Sequence, residues 1–278
     1  MRESTKKRIT VYWLIIATTL FVVIPFRDSL TFSTIALFFL GILVPLFLSA
    51  IILGKKYSYS KSQFMKAVLA GIAISIGGTA SLFIKSMDSG NMILNILGSL
   101  IFPFGILMIS FLKLDLFTGK ISDIDSLNSY ENSRKLGYLL PMLLINIGVA
   151  IIAGFIIRFI CYNNQNLIEC AENIALLKGK FSALNSIRIL LSAMICGSLV
   201  FLSIYFSKRT EGSTRIILSI LPIFIFSVCG FEHCIANPFF ISVGNGWSWE
   251  AIINLATAAV GNSIGAIVLN KFITLSEK

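Results

Sequence analysis

Eight stretches of this chain are almost wholly apolar: residues 11–26, 30–53, 66–85, 92–112, 137–160, 183–206, 216–243 and 251–270. Roughly 20 apolar residues span a hydrocarbon layer about 30 Å thick. Lipid offers no hydrogen bonds, so a spanning backbone must satisfy itself, as helices or as a closed barrel. Stretches of this length read as helices. Only 13% of the 278 residues are charged and mean hydropathy is +0.88, whereas a soluble domain carries about 25% charged residues. The expected fold class is therefore an all-α membrane protein. The first stretch follows "MRESTKKR" as a signal peptide would, but it lacks a small-residue cleavage site and reads as a retained helix.

The net charge of +10 invites a nucleic-acid reading, and its distribution argues against one. With the N-terminus placed in the cytoplasm and sides alternating at each span, 17 Lys and Arg residues fall inside and six outside. That is the asymmetry of the positive-inside rule. It places both termini in the cytoplasm and removes the motive for a phosphate-binding partner. Five cysteines show no paired metal spacing, and one histidine cannot supply a histidine cluster. Cys161 and Cys170 share a segment and could pair as a disulfide. Cys234 adjoins His233, but neighbours on a helix do not face each other, so no nucleophile–base pair is expected. No enzyme activity, cofactor or metal is expected.

The organisation expected is an N-terminal transmembrane hairpin, residues 1–57, followed by a six-helix domain over 58–278. The six spans form two triplets joined by "CYNNQNLIECAENIALLKGK". The middle span of each triplet is interrupted, by "LKLDLFTGK" in the first and "GFEHCIANP" in the second. Broken helices persist at membrane depth only when buried or lining a cavity, and matching breaks in two halves point to a transporter's central site. The first break also reads as a plain cytoplasmic loop, because "KISDIDSLNSYENSRK" is polar. The second has apolar sequence on both sides and carries the sole histidine, His233, beside Glu232.

These motifs resemble those of the formate/nitrite transporter family. "GFEHCIAN" at 230–237 is similar to its signature, "LDLFTGK" at 114–120 to its "LFTG" loop, "AGIAISIGG" at 70–78 to its first helix, and "FPFGI" at 102–106 to its "F-P-x-G-L". "NLATAAVGNSIGAIVL" at 254–269 resembles the last helix, so the likeness covers roughly residues 61–272. The resemblance implies an aquaporin-like core of two inverted three-helix repeats, a homopentamer, and one pore per protomer for small monovalent anions (formate, nitrite or hydrosulfide) in the plasma membrane. It implies an outer constriction at Phe102 and Phe226 and an inner one at Ile106, Leu116, Phe117 and Val200, with Thr118 and His233 between them. Lys178 or Lys180 would be the vestibule cation.

Two departures stand out. Gly197, in "CGSLV", occupies a position where the family usually has asparagine, and Lys120, Asp123 and Asp125 follow "LFTG" where the family is apolar. Physically, His233 is the group able to titrate near neutral pH and is expected to face the pore. Glu232, about 100° away on a helix, is expected to face the protein and to bond backbone or Asn237. A packing role for His233, and a non-conducting or regulatory subunit on the same fold, are the competing readings.

Overall fold

The computed structural model describes residues 59–124, 129–179 and 183–277; the N-terminal hairpin expected over 1–57 lies outside the described residues. The apolar spans form α1 (Lys61–Ser86), α2 (Met92–Ile101), α3 (Phe104–Phe111), the single turn α4 (Phe117–Lys120) and α5 (Ser129–Ile160). A second series follows: α6 (Gln165–Gly179), α7 (Ala183–Arg209), α8 (Gly212–Val228), α9 (Ala236–Val243) and α10 (Trp249–Ser276). Five segments of the described residues are long and apolar enough to cross a bilayer, at 61–86, 92–111, 137–160, 184–209 and 249–276; α8 is apolar and shorter. Polar caps close the helix starts where orphan N–H groups need partners. Ser60 and Gln63 form a reciprocal capping box, and Asn91 and Ser248 accept from the first turns of α2 and α10.

Two local features differ from a plain reading of the spans. The stretch 92–112 divides at Pro103, which has no N–H to continue the α2 ladder. The segment joining the triplets is mostly helix, α6, and Cys161 and Cys170 on either side of its first turns are free thiols, as are the other three cysteines. The expected option of a disulfide there is not realised.

The two halves interlock. α7 lies along α10, and α8 packs against α7, α2 and α3. The short helix α9 of the second half docks on α5 and α1 of the first, while α4 of the first docks on α7 and α10 of the second. Small residues permit the close crossings. A side chain at Gly197 would overlap the backbone of Asn262, and one at Gly265 the Met194 carbonyl. Gly197 is thus a packing residue, and the α10 backbone fills the space an asparagine would need.

Both interruptions begin and are held in the same way. α3 ends with Leu114 N–H donating to Ile109 O (2.9 Å) across Lys113 at φ 53°; α8 ends with Phe231 N–H donating to Phe226 O (3.0 Å) across Gly230 at φ 68°. Each is a helix stop built on one left-handed residue. "KLDLFTGK" at 113–120 therefore corresponds residue for residue to "GFEHCIAN" at 230–237. One buried asparagine then clamps each break. Asn146 of α5 donates to Ala67 O (2.7 Å) and Asp115 O (3.2 Å) and accepts from Phe117 N–H (2.9 Å). Asn262 of α10 donates to Ala193 O (2.8 Å) and Glu232 O (2.8 Å) and accepts from Cys234 N–H (2.9 Å).

A buried polar group left unpaired costs about 1–3 kcal/mol, and each asparagine satisfies three. Asn146→Ala and Asn262→Ala are each expected to destabilise the protein by about 3 kcal/mol or more, measured as thermal unfolding in detergent. An unchanged midpoint would show that these bonds are dispensable. In the same assay Gly197→Val is expected to cost about 1–3 kcal/mol or more through overpacking against α10; parental stability would contradict the close crossing.

Candidate permeation site

The second break places His233 at the centre of the described core, 1% exposed. Its local conformation folds back on itself. Nδ1 accepts from Ala236 N–H at 3.0 Å, and Asn237 N–H donates to His233 O at 2.9 Å as α9 begins. A ring whose Nδ1 accepts a peptide N–H carries its neutral-form proton on Nε2. Nε2 lies 3.1 Å from Thr118 Oγ1, so the imidazole donates to the threonine. Thr118 comes from α4 in the other half, and this bond joins the two re-entrant segments tip to tip. The Thr118 hydroxyl hydrogen has no protein acceptor among the described residues.

Aromatic rings cover the histidine on one side. Phe226 stacks on His233 with centroids 5.5 Å apart and planes 11° from parallel. Phe102 meets Phe226 edge-on at 5.5 Å and stacks on Phe240 at 6.4 Å. Above them opens a cavity of about 230 Å³, walled by α6 residues Ile174, Leu177 and Lys178 and reaching His233, Phe102 and Phe226. Lys178 Nζ is 2.8 Å from Glu232 Oε2 and also donates to Gly230 O at 3.3 Å. Asn237 Nδ2 donates to the same Glu232 oxygen at 2.6 Å, and Asn237 Oδ1 accepts from His233 N–H at 3.3 Å. Glu232 and Asn237 thus brace the break, and the carboxylate points to Lys178 and not to the imidazole. Lys180 lies outside the described residues.

On the opposite side the first break supplies Leu116 and Phe117, and α3 and α7 supply Ile106 and Val200; all four are buried. Asp115, the counterpart of Glu232, is buried and accepts from Lys120 Nζ (2.5 Å) and Tyr138 OH (2.8 Å). Lys120 thereby occupies the place that Asn237 holds in the second half, five residues after the carboxylate. Its charge is matched by Asp115, which explains how a lysine follows "LFTG" in a buried loop. Tyr59 packs on Tyr138 with centroids 5.3 Å apart. Burial first, then the neighbouring Tyr138 and Asp115, push the Tyr59 phenol above its ordinary pKa, so it stays protonated.

Three residues at this site were not singled out as site residues from sequence. Asn146 and Asn262 were signalled only as lone amides inside apolar helices, in "LINIGVA" and "AVGNSIGA". Lys85 read as a basic residue at a span end, yet it lines the same cavity as Lys178.

The family model described as "Formate/nitrite transporter" matches residues 49–275. The "Uncharacterized transporter YrhG" of Bacillus subtilis is 29% identical over 187 residues, 63% of this chain and 68% of that protein. The formate channel FocB of Escherichia coli is 30% identical over 192 residues, which is 65% of each chain. A probable formate transporter of Methanothermobacter thermautotrophicus is 37% identical over 82 residues, 27% of this chain and 30% of that one. This chain thus spans about two thirds of the first two relatives and less than a third of the last. Among solved structures, a pentameric formate channel with formate bound superposes with a TM-score of 0.68 at 20% identity, covering 81% of this chain and 99% of that one. An FNT family ion channel superposes at 0.67 and 15% identity, covering 86% and 100%. These two share the fold. With most of its length matched by the family model, the chain belongs to the formate/nitrite transporter family, as a multi-pass membrane anion channel or transporter and not an enzyme.

Proposed function

We propose that the protein passes small monovalent anions (formate, nitrite or hydrosulfide) across the plasma membrane, along a path that runs by His233 and Thr118. The single observation that carries this reading is the oriented hydrogen-bond relay at the break: Ala236 N–H to Nδ1, then Nε2 to Thr118 Oγ1. Every donor in that chain points the same way, which leaves the threonine hydroxyl free to donate to a passing oxyanion. A neutral donor offers an anion partial replacement for lost water without binding it as tightly as a fixed charge would. The bound formate in one structural neighbour concerns that protein; it suggests formate as the first substrate to try here.

Bare anions pay heavily to enter a dry constriction, and Phe102, Phe226, Leu116 and Phe117 make the path dry at both ends. Formate and nitrite have weak conjugate acids. A proton taken up from water at the entry mouth would let the neutral acid cross, and releasing it on the far side restores the anion. On this reading flux at fixed total formate rises as pH falls, and His233 acts by orienting the Thr118 hydroxyl toward the crossing species. Glu232, Asn237 and Asn262 act by holding the break open, and Ile106, Leu116, Phe117 and Val200 form the second constriction. We propose a homopentamer with both termini cytoplasmic, on the basic-residue asymmetry and the assembly of that neighbour. The domain division is proposed as an anion-conducting unit over 58–278 with residues 1–57 appended.

His233→Asn removes the ring that orients Thr118 and is expected to lower formate flux in proteoliposomes and change its profile between about pH 8 and pH 5, while assembly by size exclusion is preserved. A mutant profile superimposable on the parent's would remove the histidine from the mechanism. Phe226→Ala strips the ring stacked on His233 and is expected to raise anion current at neutral pH; no change would mean that the aromatic pair is not a constriction.

A further inference from the structure

Among the described residues two cations face the α6-side cavity, and they keep unequal company. Lys178 is paired with Glu232 at 2.8 Å and tied to Gly230 O at 3.3 Å. Lys85, in the last turn of α1, lines the same cavity of about 230 Å³ with Phe102, Phe226 and His233. It makes no ion pair and no hydrogen bond with any described residue. Among the described residues, the charged groups in the cavity wall are Lys85, Lys178 and Glu232. Since the last two are matched with each other, the surplus positive charge of the cavity belongs to Lys85.

Its side chain is also seated, not loose. A Cβ built on Gly98 would fall 2.7 Å from Lys85 Cγ and 3.1 Å from its Cε, so the aliphatic stem lies across the bare backbone of α2. Glycine at 98 makes room for a lysine at 85, and a stem already ordered there loses less further rotamer freedom when an anion binds than a solvated one would. An ammonium without a partner among the described residues, at a half-enclosed mouth just outside an aromatic seal, is suited to an oxyanion.

We infer that Lys85 captures the anion at this mouth, ahead of the Phe102–Phe226 pair, while Lys178 chiefly positions Glu232 and the break. The ligand class is a small monocarboxylate or an oxyanion of similar size. The inference rests on the transport reading above, and it assigns the capture step to a residue outside both interrupted motifs. The competing role for a lysine at a helix end is to extend its head to lipid headgroups.

The test is binding of ¹³C-formate to the full chain in nanodiscs of zwitterionic, net-neutral phosphatidylcholine, followed by NMR line broadening as salt is raised. Lys85→Met and Lys85→Gln are each expected to weaken formate binding roughly threefold to tenfold and to reduce its salt dependence. Lys85→Arg, which keeps the charge, is expected to restore both. Parental binding in the Met and Gln variants overturns the inference and leaves Lys85 as a headgroup anchor. Binding lost in Lys178→Met but kept in Lys85→Met overturns it too, by assigning capture to Lys178. A parent that binds formate in this way yet passes none through proteoliposomes contradicts the transport reading and leaves the capture site standing.

Discussion

Everything in this molecule depends on how a helix can be interrupted where no water is available to the freed backbone. The answer, used twice, is one buried carboxamide per break. Asn146 and Asn262 each take two carbonyls and one N–H, joining the break to the first helix of its own triplet. Asparagine is the smallest side chain that offers two N–H donors together with an acceptor oxygen. Given those clamps, α4 and α9 can turn back toward the middle of the protein and dock on the opposite half. Thr118 and His233 then meet 3.1 Å apart. The proposed permeation site is a by-product of two interrupted helices held open and aimed at each other.

The two halves use the same frame with different chemistry. At matching positions Lys113 stands against Gly230, Asp115 against Glu232, Leu116 against His233, and Lys120 against Asn237. Each carboxylate is braced by the residue five places later. In the first half that brace is a lysine and the carboxylate is buried with its charge matched locally. In the second it is an amide, and a lysine from α6 completes the pair. The asymmetry leaves one face of the proposed path with an imidazole and the other with apolar side chains such as Leu116 and Phe117.

Much of this was legible in the sequence. The six core spans follow from hydropathy, because lipid permits little else, and both interruptions show as polar residues inside apolar runs. What could not be read was partnership. A lone Asn at 146 or 262 announces that it needs hydrogen bonds but not which backbone supplies them. Gly197 stands where the family usually has asparagine, and nothing in the sequence shows that the α10 backbone fills that space. The pairing of Lys178 with Glu232 connects residues 54 apart through a helix, α6, whose sequence is polar enough to read as a connecting segment. Lys85 carried no motif at all, and only the shared cavity brings it to the site.

The account comes down to whether small anions cross the bilayer through the path that these two breaks create. The most direct measurement is uptake of radiolabelled formate into proteoliposomes of the assembled full chain, with nitrite as competitor and empty vesicles as the baseline. The account predicts uptake above that baseline, saturating with formate and suppressed by nitrite. Uptake equal to that of empty vesicles for formate, nitrite and hydrosulfide alike, from protein shown to be folded and inserted, would contradict it.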